Sequence, residues 1–411
     1  MRPEQAFPGL YLPEYSGNSI VNLANYILSH FNVAPEHAPL SLLSDKGLHE
    51  KKKIVLIILD AVGSENLKAV SEQSSNLRYL LSNYEQHTLT SVFPTTTTTA
   101  LTSFCTGLYP LEHGMLGYNL LLKEFNAVVN MLKMSPPELE RDLLTNYGLN
   151  PVKFINRKTL FEILAENGIK PWTITSNLFK DSGLTKLHHH GSAIRGYSDM
   201  TELFFQLKRT ILQEKRETFI FTYWGLTDTF GHQYGVDSEI YEKEIELFFR
   251  LLEKEIFREL SSQEMNDTLF LISADHGQIQ TSWKDEEWLT LKDPVFNRFL
   301  SVPFAGEPRA LYLYCKNTNG FEEYFNKRFG KRFRLITRED AVKQNFFSYT
   351  GDEKLTGEER TEHLDRIGDY VAVAEKKNSL HYKIHGNSTT LKGKHGSLTK
   401  EEMFVPLLVL A

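Results

Sequence analysis

Five short apolar runs do most to limit what this chain can fold into. They are "KKKIVLIILD" (51–60), "PWTITS" (171–176), "TFIFTYW" (218–224), "TLFLISAD" (268–275) and "FVPLLVL" (404–410). Their apolar residues are nearly continuous rather than alternating, the pattern of strands buried on both faces of a parallel sheet. Helix-patterned stretches lie between them. Residues 158–167, "KTLFEILAEN", place apolar side chains at i, i+3 and i+4 and stop before Gly168. Residues 239–260 read as a long amphipathic helix with Glu/Lys pairs on its wet side. Strands alternating with helices predict an α/β fold around a mostly parallel sheet.

A length of 411 residues suits one large α/β unit with insertions, or two domains. Residues 111–150 and about 281–390 break the rhythm, being richer in Pro, Gly and charge, and read as insertions over the core. The expected division is a catalytic core of residues 1–280 and 391–411 with a cap of residues 281–390. A formal net charge of −6 with no basic tract gives no footprint for a nucleic-acid polymer. No apolar run approaches the roughly 20 residues that cross a bilayer. The N-terminus also lacks the basic start and apolar core of a secretory signal. Cys105 and Cys315 have neither metal-ligand spacing nor a disulfide framework, and fit buried free thiols. A cytoplasmic protein with no membrane partner is expected; nothing in the sequence speaks to its oligomeric state.

Three runs carry an aspartate at or just past their carboxyl ends: Asp60, Asp228 and Asp275. In a parallel sheet those ends share one edge, where ligands bind. Three carboxylates gathered there repel unless cations hold them together. His232 follows Asp228 by four residues, His276 follows Asp275 directly, and His395 in "KHGS" precedes the last run. Six N/O ligands are enough for two metal ions with three protein side chains each and open positions left over. A mixed His/carboxylate set favours Zn²⁺ over Mn²⁺ or Fe, whereas magnesium prefers all-oxygen sites. Singly, a strand-end Asp is usually a cap or turn former, and a His beside Gly is usually structural. The joint, ordered pattern outweighs those readings.

The stretch "FPTTTTTALTSFCTG" (93–107) brings five consecutive threonines to a short helix stopped by Gly107. Two divalent ions about 3.5–4 Å apart clamp an in-line phosphoryl transfer and turn a bound hydroxyl into a nucleophile at neutral pH. Their charge would offset three carboxylates and an alkoxide. One threonine is therefore expected to attack, while the others cap the helix or pack.

The segments "IVLIILD", "FPTTTTTALTSFCTGLYPLEHGMLGYN", "DTFGH", "SADHG" and "KHGS" stand in the order found in the alkaline phosphatase superfamily. They most resemble its type I phosphodiesterase/nucleotide pyrophosphatase branch, over roughly residues 50–120, 215–280 and 390–411. The resemblance implies an alkaline-phosphatase-like three-layer α/β/α core with a mostly parallel sheet and an inserted cap. It implies that Asp60, Asp275 and His276 bind one zinc, and that Asp228, His232 and His395 bind the other. Thr97, fifth in the Phe-Pro-x-x-Thr pattern, would be the nucleophile and bridge toward both metals. Two in-line displacements follow: Thr97 attacks phosphorus and expels the leaving alcohol, and water then hydrolyses the phospho-threonine.

The implied substrate is a small-molecule phosphoester. Alternatives are a phosphonoacetate-type phosphonate hydrolase, a phosphomonoesterase and, outside enzymes, a catalytically dead binding protein on the same fold. A dead relative would be expected to have lost ligands that this chain keeps. Sulfatases are disfavoured, because their Cys-or-Ser-x-Pro-x-Arg signature is absent. The chain departs from the nucleotide-cleaving members at Ala100, where the resemblance implies an Asn holding a phosphate oxygen. Selectivity is expected from the insertions, residues 281–390 above all. Among lesser candidates, Tyr118 and Asn119 would border the pocket, and His113 would organise its loop. The Leu187–His190 cluster reads as incidental, and Arg309 as an exposed strand-edge arginine.

Overall fold

The computed structural model describes residues 5–43, 48–290, 292–293, 298–303, 305–348, 355–383 and 390–411. Seven strands make the central sheet: β1 (Lys53–Leu59), β2 (Glu85–Thr90), β3 (Lys170–Ser176), β4 (Ala193–Tyr197), β5 (Thr218–Trp224), β6 (Thr268–Ser273) and β7 (Phe404–Leu410). Their order is β2-β7-β6-β1-β5-β3-β4. All five apolar runs are strands of this sheet. β1 and β6 are buried along their whole length, as continuous apolar runs in the middle of a covered sheet must be. The two strands that no run announced, β2 "EQHTLT" and β4 "AIRGY", are the sheet's edges. An edge strand borders water, so its polar residues hide it from a search for apolar runs.

β6, β1, β5, β3 and β4 run parallel, and β7 alone is reversed between β6 and β2. That reversal matters for the site. Leu407 pairs with Ser273, the last residue of β6, so the start of β7 reaches past the carboxyl end of β6. The segment that leads into β7, with His395 in it, therefore enters at the edge where β6, β1 and β5 end.

Four of the helices are α1 (Thr97–Thr106), α2 (Leu160–Glu166), α3 (Leu226–Tyr234) and α4 (Glu239–Leu252). α1 stops at Gly107, whose φ of +71° is the left-handed conformation that glycine adopts cheaply. α2 begins in a Thr159/Glu162 capping box and falls within the predicted 158–167 stretch. α4 ends earlier than its charge pattern predicts, passing at Glu253–Phe257 into a wider turn.

A second, antiparallel sheet takes strands 333–337, 370–374, 310–313, 305–307, 119–122 and 127–130, in that order. Both stretches that broke the strand–helix rhythm thus meet in one smaller sheet. An apolar cluster that includes Phe93, Leu120, Tyr312, Val371 and Phe404 joins it to the end of the main sheet. Among the described residues, no helix is long and apolar enough to cross a membrane.

Candidate active site

The three aspartate-bearing strands are neighbours. β6, β1 and β5 lie side by side, so Asp275, Asp60 and the turn leading to Asp228 leave the same stretch of one sheet edge. Asp228 and His232 stand one turn apart on α3, and their ligand atoms are 3.2 Å apart. His395 brings its Nε2 to 3.8 Å from the same Asp228 oxygen. Across from this triad, His276 Nε2 lies 3.6 Å from Asp60 Oδ1 and 3.5 Å from Asp275 Oδ2. Within each triad the ligand atoms all fall within 4.8 Å of one another. The rings of His276 and His395 stack at 4.0 Å and bring the triads together.

The tautomers are set by the backbone. Nδ1 of His232 meets the Gly393 carbonyl at 2.7 Å, Nδ1 of His276 the Gly277 carbonyl at 3.0 Å, and Nδ1 of His395 the Thr95 carbonyl at 2.9 Å. A carbonyl only accepts, so each Nδ1 carries a proton and each ring is left facing the cluster with its Nε2. Carboxylates are oriented as well. Tyr223 Oη donates to Asp60 Oδ2, the main-chain N–H of Ala61 and of His276 donate to Asp275 Oδ1, and Gln278 donates to Asp228 Oδ1 at 2.7 Å. Gly277 leaves no room for a side chain, since a Cβ there would sit 1.9 Å from the Glu401 carbonyl oxygen.

The residues fit divalent metal. Asp60 Oδ1 and Asp275 Oδ2 are buried with no hydrogen-bond partner, an expensive state unless a cation takes them. Burial, and then the charges of Asp275 and Asp228, push the Asp60 carboxyl up from its ordinary range. Burial and the neighbouring His276 and His232 rings push His395 well down, so its imidazole stays neutral. Carboxylates pressed together beside imidazole nitrogens are the donor set that suits a divalent metal.

Of the five threonines, only Thr97 is not buried. Its Oγ1 is 3.2 Å from His276 Nε2. Thr95 Oγ1 donates to Ser397 O and Thr98 Oγ1 to Gly117 O, so these hydroxyls tie loops together. All seven residues expected at the site, Asp60, Thr97, Asp228, His232, Asp275, His276 and His395, converge there.

The sequence profile of the family described as type I phosphodiesterase/nucleotide pyrophosphatase matches residues 54–398. The chain belongs to that family. It is accordingly a metal-dependent hydrolase of phosphoric esters. No curated protein sequence matches the chain. Among solved structures, murine ectonucleotide pyrophosphatase/phosphodiesterase 5 is similar at 17% identity, with 87% of each chain covered and a TM-score of 0.62. An inactive threonine-to-alanine variant of that protein in complex with AMP gives 18% identity, the same coverage and a TM-score of 0.61. Phosphonoacetate hydrolase from Sinorhizobium meliloti 1021, in complex with phosphonoformate, gives 17% identity over 88% of this chain and 90% of that one, with a TM-score of 0.62. At these identities the likeness speaks to the fold.

A cavity of about 420 Å³ opens from Asp60, Thr97 and Asp228. Its walls are mainly apolar, with Leu101, Leu132, Phe179, Leu184 and Trp224 among them, and among the described residues Arg141 is its one basic residue other than histidine. Sequence reasoning missed this wall. Among the described residues none from 281–390 lines the cavity; Leu132 and Arg141 from the other insertion do, with residues 175–198 and the start of α3. The available signal was Leu178 and Phe179 directly after β3, apolar residues just past the functional edge of the sheet.

Other expectations shift too. Ala100 is fully buried and does not line the cavity. Tyr118 and Asn119 lie outside the cavity wall; the Tyr118 N–H donates to Glu307 and the Asn119 amide to Gly306 O. His113 organises its loop as expected, meeting Ser103 Oγ at 3.0 Å and the Met115 N–H at 3.1 Å. The "HHH" cluster is not incidental: His188 and His189 are buried in the cavity wall, and only His190 faces solvent, beside Glu162. Arg309 is not an exposed edge residue; it is fully buried against Glu402.

Proposed function

We propose that the chain cleaves phosphoric diesters of small molecules, with Thr97 as nucleophile and two zinc ions held by the two triads. The observation that carries the reading is the grouping of six Asp and His residues into two adjoining triads, with the single accessible hydroxyl of the threonine run 3.2 Å from His276 Nε2. Asp60, Asp275 and His276 would hold one ion; Asp228, His232 and His395 the other. When bound, the ions supply Lewis acidity, acidifying a hydroxyl and neutralising charge on phosphoryl oxygens. Thr97 Oγ1 attacks phosphorus in line with the leaving oxygen, which departs with a proton as the alcohol. Water then cleaves the phospho-threonine and restores the hydroxyl. Thr97 is also the first residue of α1, whose unpaired N–H groups favour an anion. The apolar cavity receives the ester's organic substituent and keeps water from it.

The murine relative supports a threonine in this role and a nucleotide-sized ligand, since its threonine-to-alanine variant is inactive and holds AMP. A phosphonate hydrolase is the second reading, favoured by the likeness to phosphonoacetate hydrolase. A mainly apolar 420 Å³ cavity is poorly matched to so small and polar a substrate. We place the protein in the cytoplasm on the strength of its free Cys105 and Cys315. Zinc-loaded protein assayed against bis-p-nitrophenyl phosphate, p-nitrophenyl phosphate, a nucleotide and phosphonoacetate tests the reading. The diester is expected to turn over fastest; preference for phosphonoacetate would overturn it.

A further inference from the structure

Arg309 heads the fully buried side chains by size, and its guanidinium is engaged on every side. Nε and Nη2 donate to the two oxygens of Glu402 at 2.7 and 2.8 Å. Nη1 donates to Asn378 O at 2.5 Å, and Nη2 also to Lys376 O at 2.7 Å. Glu402, fully buried as well, then reaches both metal loops. Its Oε1 accepts the Ser397 N–H at 3.0 Å and its Oε2 the Thr399 hydroxyl at 2.5 Å. Its main-chain oxygen accepts the Gly277 N–H at 2.8 Å, one residue past His276. Arg309 lies between strands 305–307 and 310–313, and its carbonyl partners follow strand 370–374, so the chain of contacts runs from the smaller sheet to the ligand loops.

Stability alone does not account for the pair. Two charges buried this completely lose much of their mutual attraction to desolvation, and apolar replacement of such pairs is often neutral or stabilising. What an apolar pair lacks is a fixed acceptor for the Ser397 N–H, two residues after His395. The His395 ring itself has one backbone anchor, the Thr95 carbonyl.

We infer that Arg309 and Glu402 form a positioning pair that sets the His395 loop, and through it the affinity of the Asp228/His232/His395 triad for its metal. This rests on the ligand assignment in the proposed function. The test uses the full chain as Glu402→Met, which removes the acceptor alone, and as the double variant Arg309→Met/Glu402→Leu. Zinc affinity is measured by chelator competition, and protection of the Ser397 amide by hydrogen exchange. In both variants one zinc is expected to weaken by roughly 10- to 100-fold while the other holds, and the Ser397 amide is expected to exchange faster. Either variant that keeps the wild-type melting profile decides the matter. Two zincs held at wild-type affinity, or both weakened equally, would overturn the inference. If the wild-type chain took up no zinc, the metal assignment would fall by itself. The positioning claim would then stand or fall on exchange, and wild-type protection of Ser397 in the folded double variant would defeat it.

Discussion

Thr97 Oγ1 and His276 Nε2 lie 3.2 Å apart, which puts the one accessible threonine of its run against the more deeply buried ligand triad. If this hydroxyl attacks phosphorus, Thr97→Ala loses turnover by roughly 10³-fold or more. Zinc content should stay at two per chain, and Thr97→Ser should recover part of the rate. Turnover of diester by the alanine variant at the wild-type rate would move the nucleophile elsewhere.

Tyr223 donates to Asp60 from the neighbouring strand. Tyr223→Phe keeps the packing and removes that donor, freeing the carboxylate to rotate. Zinc at the Asp60/Asp275/His276 triad should weaken by about 10- to 100-fold, as for other partners of metal ligands. Isothermal titration of the metal-free variant reads this directly, apart from catalysis.

Burial holds His188 neutral, with its pKa lowered to about 3 against an ordinary 6.5. Unfolding frees the ring to take up a proton at higher pH. Its contribution to stability is therefore complete above pH 6.5 and is lost as pH falls from there toward about 3. His188→Gln should flatten the melting temperature against pH across that window. Equal slopes in the variant and the wild type would rule out His188 as a source of the acid sensitivity.

Leu184 is buried in the cavity wall. Leu184→Trp narrows the space for an organic substituent without touching the ligands. For an aryl diester kcat/KM should fall roughly tenfold or more, carried mainly by KM, while a dimethyl ester is spared. Equal losses for both esters would show that the cavity does not receive the substituent.

The strands and the clustered Asp and His residues were legible because their signals are local. A strand covered on both faces must be apolar throughout, which exposed β1, β5 and β6. Asp60 and Asp275 follow directly at the ends of two of them, and Asp228 and His232 keep the four-residue spacing of a helix face. Edge strands β2 and β4 were hidden because water on one side permits polar residues there. Arg309 looked exposed because its partner, Glu402, lies 93 residues away in sequence.

The sequence by itself determined which side chains are candidates for chemistry and that most of them arrive at strand ends, because strand and helix periodicity is written over a few neighbouring residues. The tertiary structure decided how the six Asp and His residues group into two clusters, which of five threonines stands beside them, and which side chains wall the neighbouring cavity. Those depend on strand order β6-β1-β5, on the reversed entry of β7 and on segments 132–198 folding over the edge, all contacts between residues far apart along the chain.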